Sequence, residues 1–144
     1  AKANATFKHL VTFGGNPPAA AAALANLDIM VNEDMCGRSE NMGNYLYERL
    51  NTLRSHPIVG DVRGGLGLLC AIQLVANRDT NQAFAADANI EQRATKAMRR
   101  HGLLGRAGDV IPVAPPLCIS PNEIDEAVIR FDRVLSDLEQ ELNL

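Results

Sequence analysis

The stretch from Ser120 to Leu144 constrains the fold most. Ser120, Pro121 and Glu123 spell a helix start: a hydroxyl N-cap, a proline in the first turn where its missing N–H costs nothing, and an acid placed to close a capping box. From there Ile124, Val128, Phe131, Leu135, Leu138 and Leu142 recur at four-three spacing, the apolar stripe of a long amphipathic helix. Such a stripe needs a facing surface. The rest of the chain must supply it.

Asn16-Pro17 starts a first helix, with Asn as N-cap, an alanine run to propagate it, and Leu24, Leu27 and Val31 at helical spacing to about Val31. A second helix is expected over 38–54, with Met42, Leu46, Leu50 and Leu53 on one face and Arg38, Glu40, Glu48 and Arg49 in solvent. His56-Pro57 ends it. Residues 58–62 and 66–75 are expected as two strands joined near Arg63-Gly64-Gly65, the second central and buried because only Gln73 interrupts its apolar run. A polar loop over 77–89 leads to a third helix marked by Ile90, Ala94, Ala97 and Met98 and stopped at Gly102. Three β-like pieces, 103–106, 110–113 and 117–119, precede the last helix. The order is that of an α+β domain.

Composition excludes several functions. The 144 residues carry 14 Lys plus Arg against 17 Asp plus Glu, so no basic excess asks for nucleic acid. The longest apolar stretch, 17–25, is far short of the roughly 20 residues of a membrane span. Cys36, Cys70 and Cys118 form no paired spacing; they fit a reducing cytoplasm, where free cysteines act as small buried hydrophobes. No His/Cys metal spacing and no G-x-S-x-G elbow is present, so no metal site is expected.

Two clusters could bind anions. His9, Thr12, Gly14, Gly15 and Asn16 lie ahead of the first helix, where free N–H groups and the helix dipole favour negative charge, although Pro17 removes one donor and glycines in such a loop more commonly just turn the chain. Arg106, before Ala107-Gly108-Asp109 in an apolar neighbourhood, can grip a carboxylate in two places or pair internally with Asp109. Pro115-Pro116 could form a wall of such a site. Gly64-Gly65-Leu66-Gly67 fails as a phosphate loop because a strand follows it; close backbone approach is expected there, with Arg63 solvated or ion-paired. Lys2, Lys8 and Lys96 lie in no context that would make a nucleophilic amine.

Three blocks taken together, F-K-H-L-V-T-F-G-G-N-P (7–17), H-P-I-V-G-D-V-R-G-G-L-G-L-L (56–69) and R-A-G-D-V-I-P-V-A-P-P-L (106–117), resemble the C-terminal part of class III pyridoxal-phosphate-dependent aminotransferases, the group containing ω-amino-acid:pyruvate transaminases. The resemblance covers nearly the whole chain. It implies the C-terminal small α+β domain of a fold-type-I enzyme, a small mainly antiparallel sheet with packed helices, over 33–144, with 1–32 as the end of the large cofactor domain and its connecting helix. By position, Thr12, with the backbone at Val11, matches the threonine that binds the phosphate of pyridoxal 5′-phosphate in the neighbouring subunit of a homodimer. Arg106 matches the arginine that grips the substrate carboxylate and swings away for amine donors. Between Arg106-Ala107 and Gly108-Asp109 this chain is one residue shorter than many members, and its Val-Arg-Gly segment has a glycine more.

The resemblance places the Schiff-base lysine, the stacking aromatic and the pyridine-pairing aspartate upstream of Phe7, so no catalytic residue is expected in this chain. The expectation is therefore a cytoplasmic transaminase segment, inactive alone, from an enzyme moving an amino group from an amine or ω-amino acid to a keto acid such as pyruvate. A non-catalytic structural or dimerisation fragment, and a related aminomutase or racemase, stay open as alternatives.

Overall fold

A computed structural model describes residues 12–144. The chain divides into two compact units, Ala1–Met35 and Cys36–Leu144.

The described part of the first unit is dominated by helix α1 (Pro17–Asn32). It starts where the sequence puts it, with the Asn16 side chain accepting from the Ala19 N–H at 3.1 Å. Leu24, Leu27 and Val31 are all exposed, and no residue of α1 is buried. Alanine propensity and the cap therefore carry much of this helix, since it buries no residue fully.

Helix α2 (Met35–Asn51) begins three residues before the expected Arg38, and its expected last turn tightens into a 3-10 turn at Thr52–Ser55. Leu46, Leu50 and Leu53 are buried as the spacing demands. Arg38 and Arg49, expected in solvent, are instead tied down. Arg38 donates to the carbonyls of Leu117, Cys118 and Ile119 at 3.1, 3.0 and 2.8 Å. Arg49 Nε lies 2.6 Å from Asp125 Oδ1, and the Tyr45 hydroxyl donates to the same carboxylate at 2.9 Å. The Tyr45 bond, then that of Arg49, hold the Asp125 carboxyl below the usual aspartate range.

Strands β1 (Val59–Arg63), β2 (Cys70–Leu74) and β3 (Val110–Val113) form an antiparallel sheet in the order β1-β2-β3, so the expected central strand is central. The register alternates faces. Val62, Ile72 and Ile111 form one buried cross-strand row. Arg63, Ala71 and Pro112 form a row on the other face, next to Asp61, Gln73 and Val110. The pairing shifts between Val59 and Asp61, a bulge at Gly60, whose added Cβ would sit 2.6 Å from Val75 Cγ1.

Helix α3 (Ile90–Arg100) buries Ile90, Ala94, Ala97 and Met98, and helix α4 (Pro121–Leu142) buries Ile124, Val128, Phe131, Leu135 and Leu138 together with Val134, which the four-three spacing does not single out. Both stripes belong to the same core as the inner sheet face and Leu46, Leu50 and Leu53 of α2. The capping box on α4 forms in both directions: Glu123 N–H donates to Ser120 Oγ at 3.3 Å, and Ser120 N–H to Glu123 Oε2 at 2.8 Å.

Three expectations about strands fail. Residues 66–69 are loop, because Gly65 and Gly67 take positive φ (+87° and +64°) and turn the chain outward; Leu66 and Leu69 are exposed while Leu68 plugs the core. Residues 103–106 are loop because Gly102, at φ +73°, turns the chain and the Leu103 N–H donates back to the Met98 carbonyl at 2.8 Å, closing α3. Residues 117–119 give their carbonyls to Arg38 rather than to a ladder. The close backbone approach expected at the glycine run is real: a Cβ on Gly43 of α2 would lie 2.2 Å from the Gly67 carbonyl carbon. Of the cysteines only Cys70 is buried; Cys36 and Cys118 are exposed, against expectation, and all three are free.

Candidate functional site

Thr12 stands in the turn ahead of α1, exposed, in the first unit. The helix end behind it has no donor to spare. Pro17 and Pro18 lack N–H groups, Ala19 N–H is taken by the Asn16 side chain and Ala20 N–H by the Asn16 carbonyl. The expectation of free N–H groups at the helix start is thus corrected: the unused donors near it belong to the turn itself. There the Thr12 hydroxyl and the N–H groups of Phe13, Gly14 and Gly15 have no partner among the described residues. Gly15, at φ +76°, makes the turn possible. Val11 and His9 lie outside the described residues.

Arg106 lies in the second unit, on the loop between α3 and β3. That loop is pinned on both sides of it. Ala107 is buried, the Asp109 carbonyl accepts from Leu74 N–H at 2.7 Å, and Leu103 is tied back to Met98. Arg106 itself is exposed and makes no hydrogen bond or ion pair among the described residues; the internal pair with Asp109 does not form. Its side chain lines an open groove of about 370 Å³ together with Glu91, Ala107, Gly108, Asp109, Val110 and Pro112. Pro112, not Pro115 or Pro116, is the proline of that wall.

Val110 and Pro112 are shared with a second groove of about 530 Å³, lined by Arg63, Gly64, Leu66, Leu69, Cys70 and Ala71. Arg63 is exposed there, without a hydrogen-bond or ion-pair partner among the described residues. Among the described residues, each of these two adjoining grooves thus holds an unpaired guanidinium, Arg63 on β1 and Arg106 on the loop before β3. Most other arginines of the unit, among them Arg38, Arg49, Arg54, Arg78, Arg93, Arg100 and Arg130, are engaged. Glu91 is the groove residue that spacing alone does not reveal, because an acid in the first turn of a helix already has a sufficient reason to be there.

Among the described residues no cluster of metal-ligating side chains exists. No helix there is long and apolar enough to cross a membrane. Lys96 is exposed on α3, and burial pushes the Cys70 thiol above its ordinary range, which makes it a poorer nucleophile.

The sequence from residue 1 to residue 135 matches the family Aminotransferase class-III. The chain belongs to that family. It is 38% identical over 140 residues to an uncharacterized aminotransferase, y4uB, of Sinorhizobium fredii, covering 94% of this chain and 30% of that protein. It is 37% identical over 124 residues to putrescine–pyruvate aminotransferase of Pseudomonas aeruginosa, covering 85% of this chain and 27% of that one. The omega transaminase from Pseudomonas jessenii, solved in complex with PMP, superposes with a TM-score of 0.85 at 34% identity, over 94% of this chain and 30% of that structure. This chain thus spans about 30% of the length of the class III proteins it matches. The α+β fold of a fold-type-I transaminase segment, expected from the sequence, is the fold observed.

Class III aminotransferases depend on pyridoxal phosphate. Among the described residues, the Thr12 hydroxyl, the turn amides and the Arg106 guanidinium are unpartnered donors of the kind that fit a phosphate or carboxylate oxygen.

Proposed function

We propose that this chain is the C-terminal segment of a cytoplasmic, homodimeric transaminase that moves an amino group from an amine or ω-amino acid to a keto acid such as pyruvate. Residues 1–32 end its large domain and residues 33–144 form its small domain. PMP, held by the related omega transaminase, is the aminated form of pyridoxal phosphate, and a putrescine–pyruvate enzyme among the relatives supports this class of donor and acceptor. Free, unpaired cysteines support the cytoplasm.

When bound, the cofactor supplies the electron sink for amino transfer. The Thr12 hydroxyl donates to its phosphate, with the Val11 backbone assisting, and does so for the neighbouring subunit's site. Arg106 donates two parallel N–H groups to the substrate carboxylate, fixing which end of the substrate faces the reaction. An amine that lacks a carboxylate leaves this fork without a partner, so the guanidinium must then turn elsewhere. The observation that carries the reading is the unengaged Arg106 guanidinium on a loop pinned on either side, in a chain matching the family over residues 1–135.

In the complete enzyme, Arg106→Ala is expected to raise KM for pyruvate at least tenfold while leaving KM for an amine donor that lacks a carboxylate within twofold, by the loss of a charge-assisted pair. Equal effects on both substrates would overturn the assignment.

A further inference from the structure

The loop between β1 and β2 presents two leucines to solvent without being loose. Gly65 and Gly67 both take positive φ and bracket Leu66, which is 89% exposed, and Leu69 is 63% exposed. Around them the backbone is fixed. Leu68 is buried, its N–H donates to Ser39 Oγ at 3.3 Å, and Gly67 lies hard against Gly43 of α2. Leu66 and Leu69 line the groove of about 530 Å³ that holds Arg63. No acid lines it, and Asp61, on the same face of β1, is taken by Arg54. The groove thus joins exposed apolar anchors, a rigid frame and one guanidinium without a partner among the described residues. Exposed apolar surface beside an unpaired arginine marks an interaction site.

We propose that this groove seats a segment of the complete polypeptide outside residues 1–144, one that sets a carboxylate on Arg63 and an apolar side chain against Leu66 and Leu69. This rests on the reading of the chain as a segment of a longer protein. The chain spans about 30% of its relatives, so a complete enzyme holds ample polypeptide to reach the groove. Charge selects among the occupants. Covering a guanidinium strips its water, a cost that only an acid from the covering segment offsets, since the groove supplies none. A second copy fits worse. A two-fold contact is self-complementary, so groove on groove would set Arg63 against its own equivalent with no acid between them. An added strand fits worse too, because the Val59 and Val62 carbonyls of edge strand β1 already accept from Arg78 and Arg54. The rigid frame suits a fixed neighbour, since little ordering cost is left to be met on contact.

The test is the accessibility of position 66 in the complete holoenzyme. Leu66→Cys, in a background of Cys36→Ser and Cys118→Ser that silences the exposed native thiols, is labelled with a maleimide. The new thiol is expected to react about tenfold or more slowly in the native enzyme than in urea. Adding Arg63→Gln should speed native labelling severalfold, and Arg63→Lys should keep the slow rate. A photo-crosslinking residue at position 66 should join it to a peptide of the same chain, outside residues 1–144, that carries Asp or Glu. Native labelling within about twofold of the urea rate overturns the proposal, because the groove is then open. A crosslink to a second copy, or to a site within residues 1–144, overturns it as well. So does protection that appears only when a free carboxylate such as pyruvate is added, which marks a small-molecule site. Arg63→Gln without effect on labelling removes the carboxylate from Arg63, and the proposal with it. None of these readouts depends on turnover. An enzyme that transaminates with an open groove keeps its proposed function and loses the seat, whereas a protected groove in a complete protein that does not transaminate keeps the seat and loses the function.

Discussion

His56 and Glu139 lock the start of the sheet to the last helix: imidazole Nδ1 lies 3.0 Å from Glu139 Oε2, and the other carboxylate oxygen accepts from the Ile58 N–H at 3.3 Å. The remaining ring nitrogen lies 3.0 Å from Asp132 Oδ1, so one histidine spans two acids of α4. With its side chain only 11% exposed, burial opposes its charge, but the hydrogen bonds to Glu139 and Asp132 outweigh that and lift its pKa above 6.5. A folded pKa above the unfolded one means that the stabilisation is complete below about pH 6.5 and is lost as pH rises through the folded value. The urea midpoint should therefore fall across the neutral range, and His56→Gln should flatten that part of the profile. An identical slope in the variant would show that another group sets it.

Gly43 should resist any side chain. A methyl there meets the Gly67 carbonyl carbon and oxygen, each at 2.2 Å, and both are backbone atoms that cannot rotate aside. Gly43→Ala is expected to cost about 1–3 kcal/mol despite the better helix propensity of alanine, measured as a shift in chemical unfolding. A more stable variant would mean that the loop moves freely off the helix.

Ser120→Ala should cost about 1 kcal/mol, because it removes the acceptor for the Glu123 N–H at the start of the longest helix. Leu135→Ala, deep in the core, should cost about 2–5 kcal/mol. Thermal or denaturant unfolding of the two variants tests the ranking, and a larger loss for the cap than for the core residue would contradict it.

Thr12→Ala in the complete enzyme should weaken cofactor retention about tenfold or more, by loss of one hydrogen bond to a doubly charged group. The check is the cofactor concentration needed to restore half-maximal absorbance after dialysis. Unaltered retention would remove Thr12 from the phosphate site.

The helices were legible in the chain because their signals are local. Asn16-Pro17, Ser120-Pro121 with Glu123, and Gly102 each fix an end with a short-range bond or a φ value, and the structure places those ends there. The loops were not, because their conformation is decided from a distance. Leu103 looks like strand until the Met98 carbonyl takes its N–H, and Leu117 until Arg38, 79 residues away in sequence, takes its carbonyl. Gly43 and Gly67 carry no local sign that they touch. At the candidate site the types of residue were visible and the pairing was not: Asp109 is near Arg106 in sequence, yet only its carbonyl is used, by Leu74.

Pro112 sits on β3, the rim strand opposite β1, and a proline there offers one N–H fewer to any incoming chain. At the far rim the irregularity between Val59 and Asp61 breaks the even spacing that a docking strand would need. Among the described residues, both margins of the sheet thus discourage an added strand, which guards a surface bearing exposed leucines against ribbon-like aggregation.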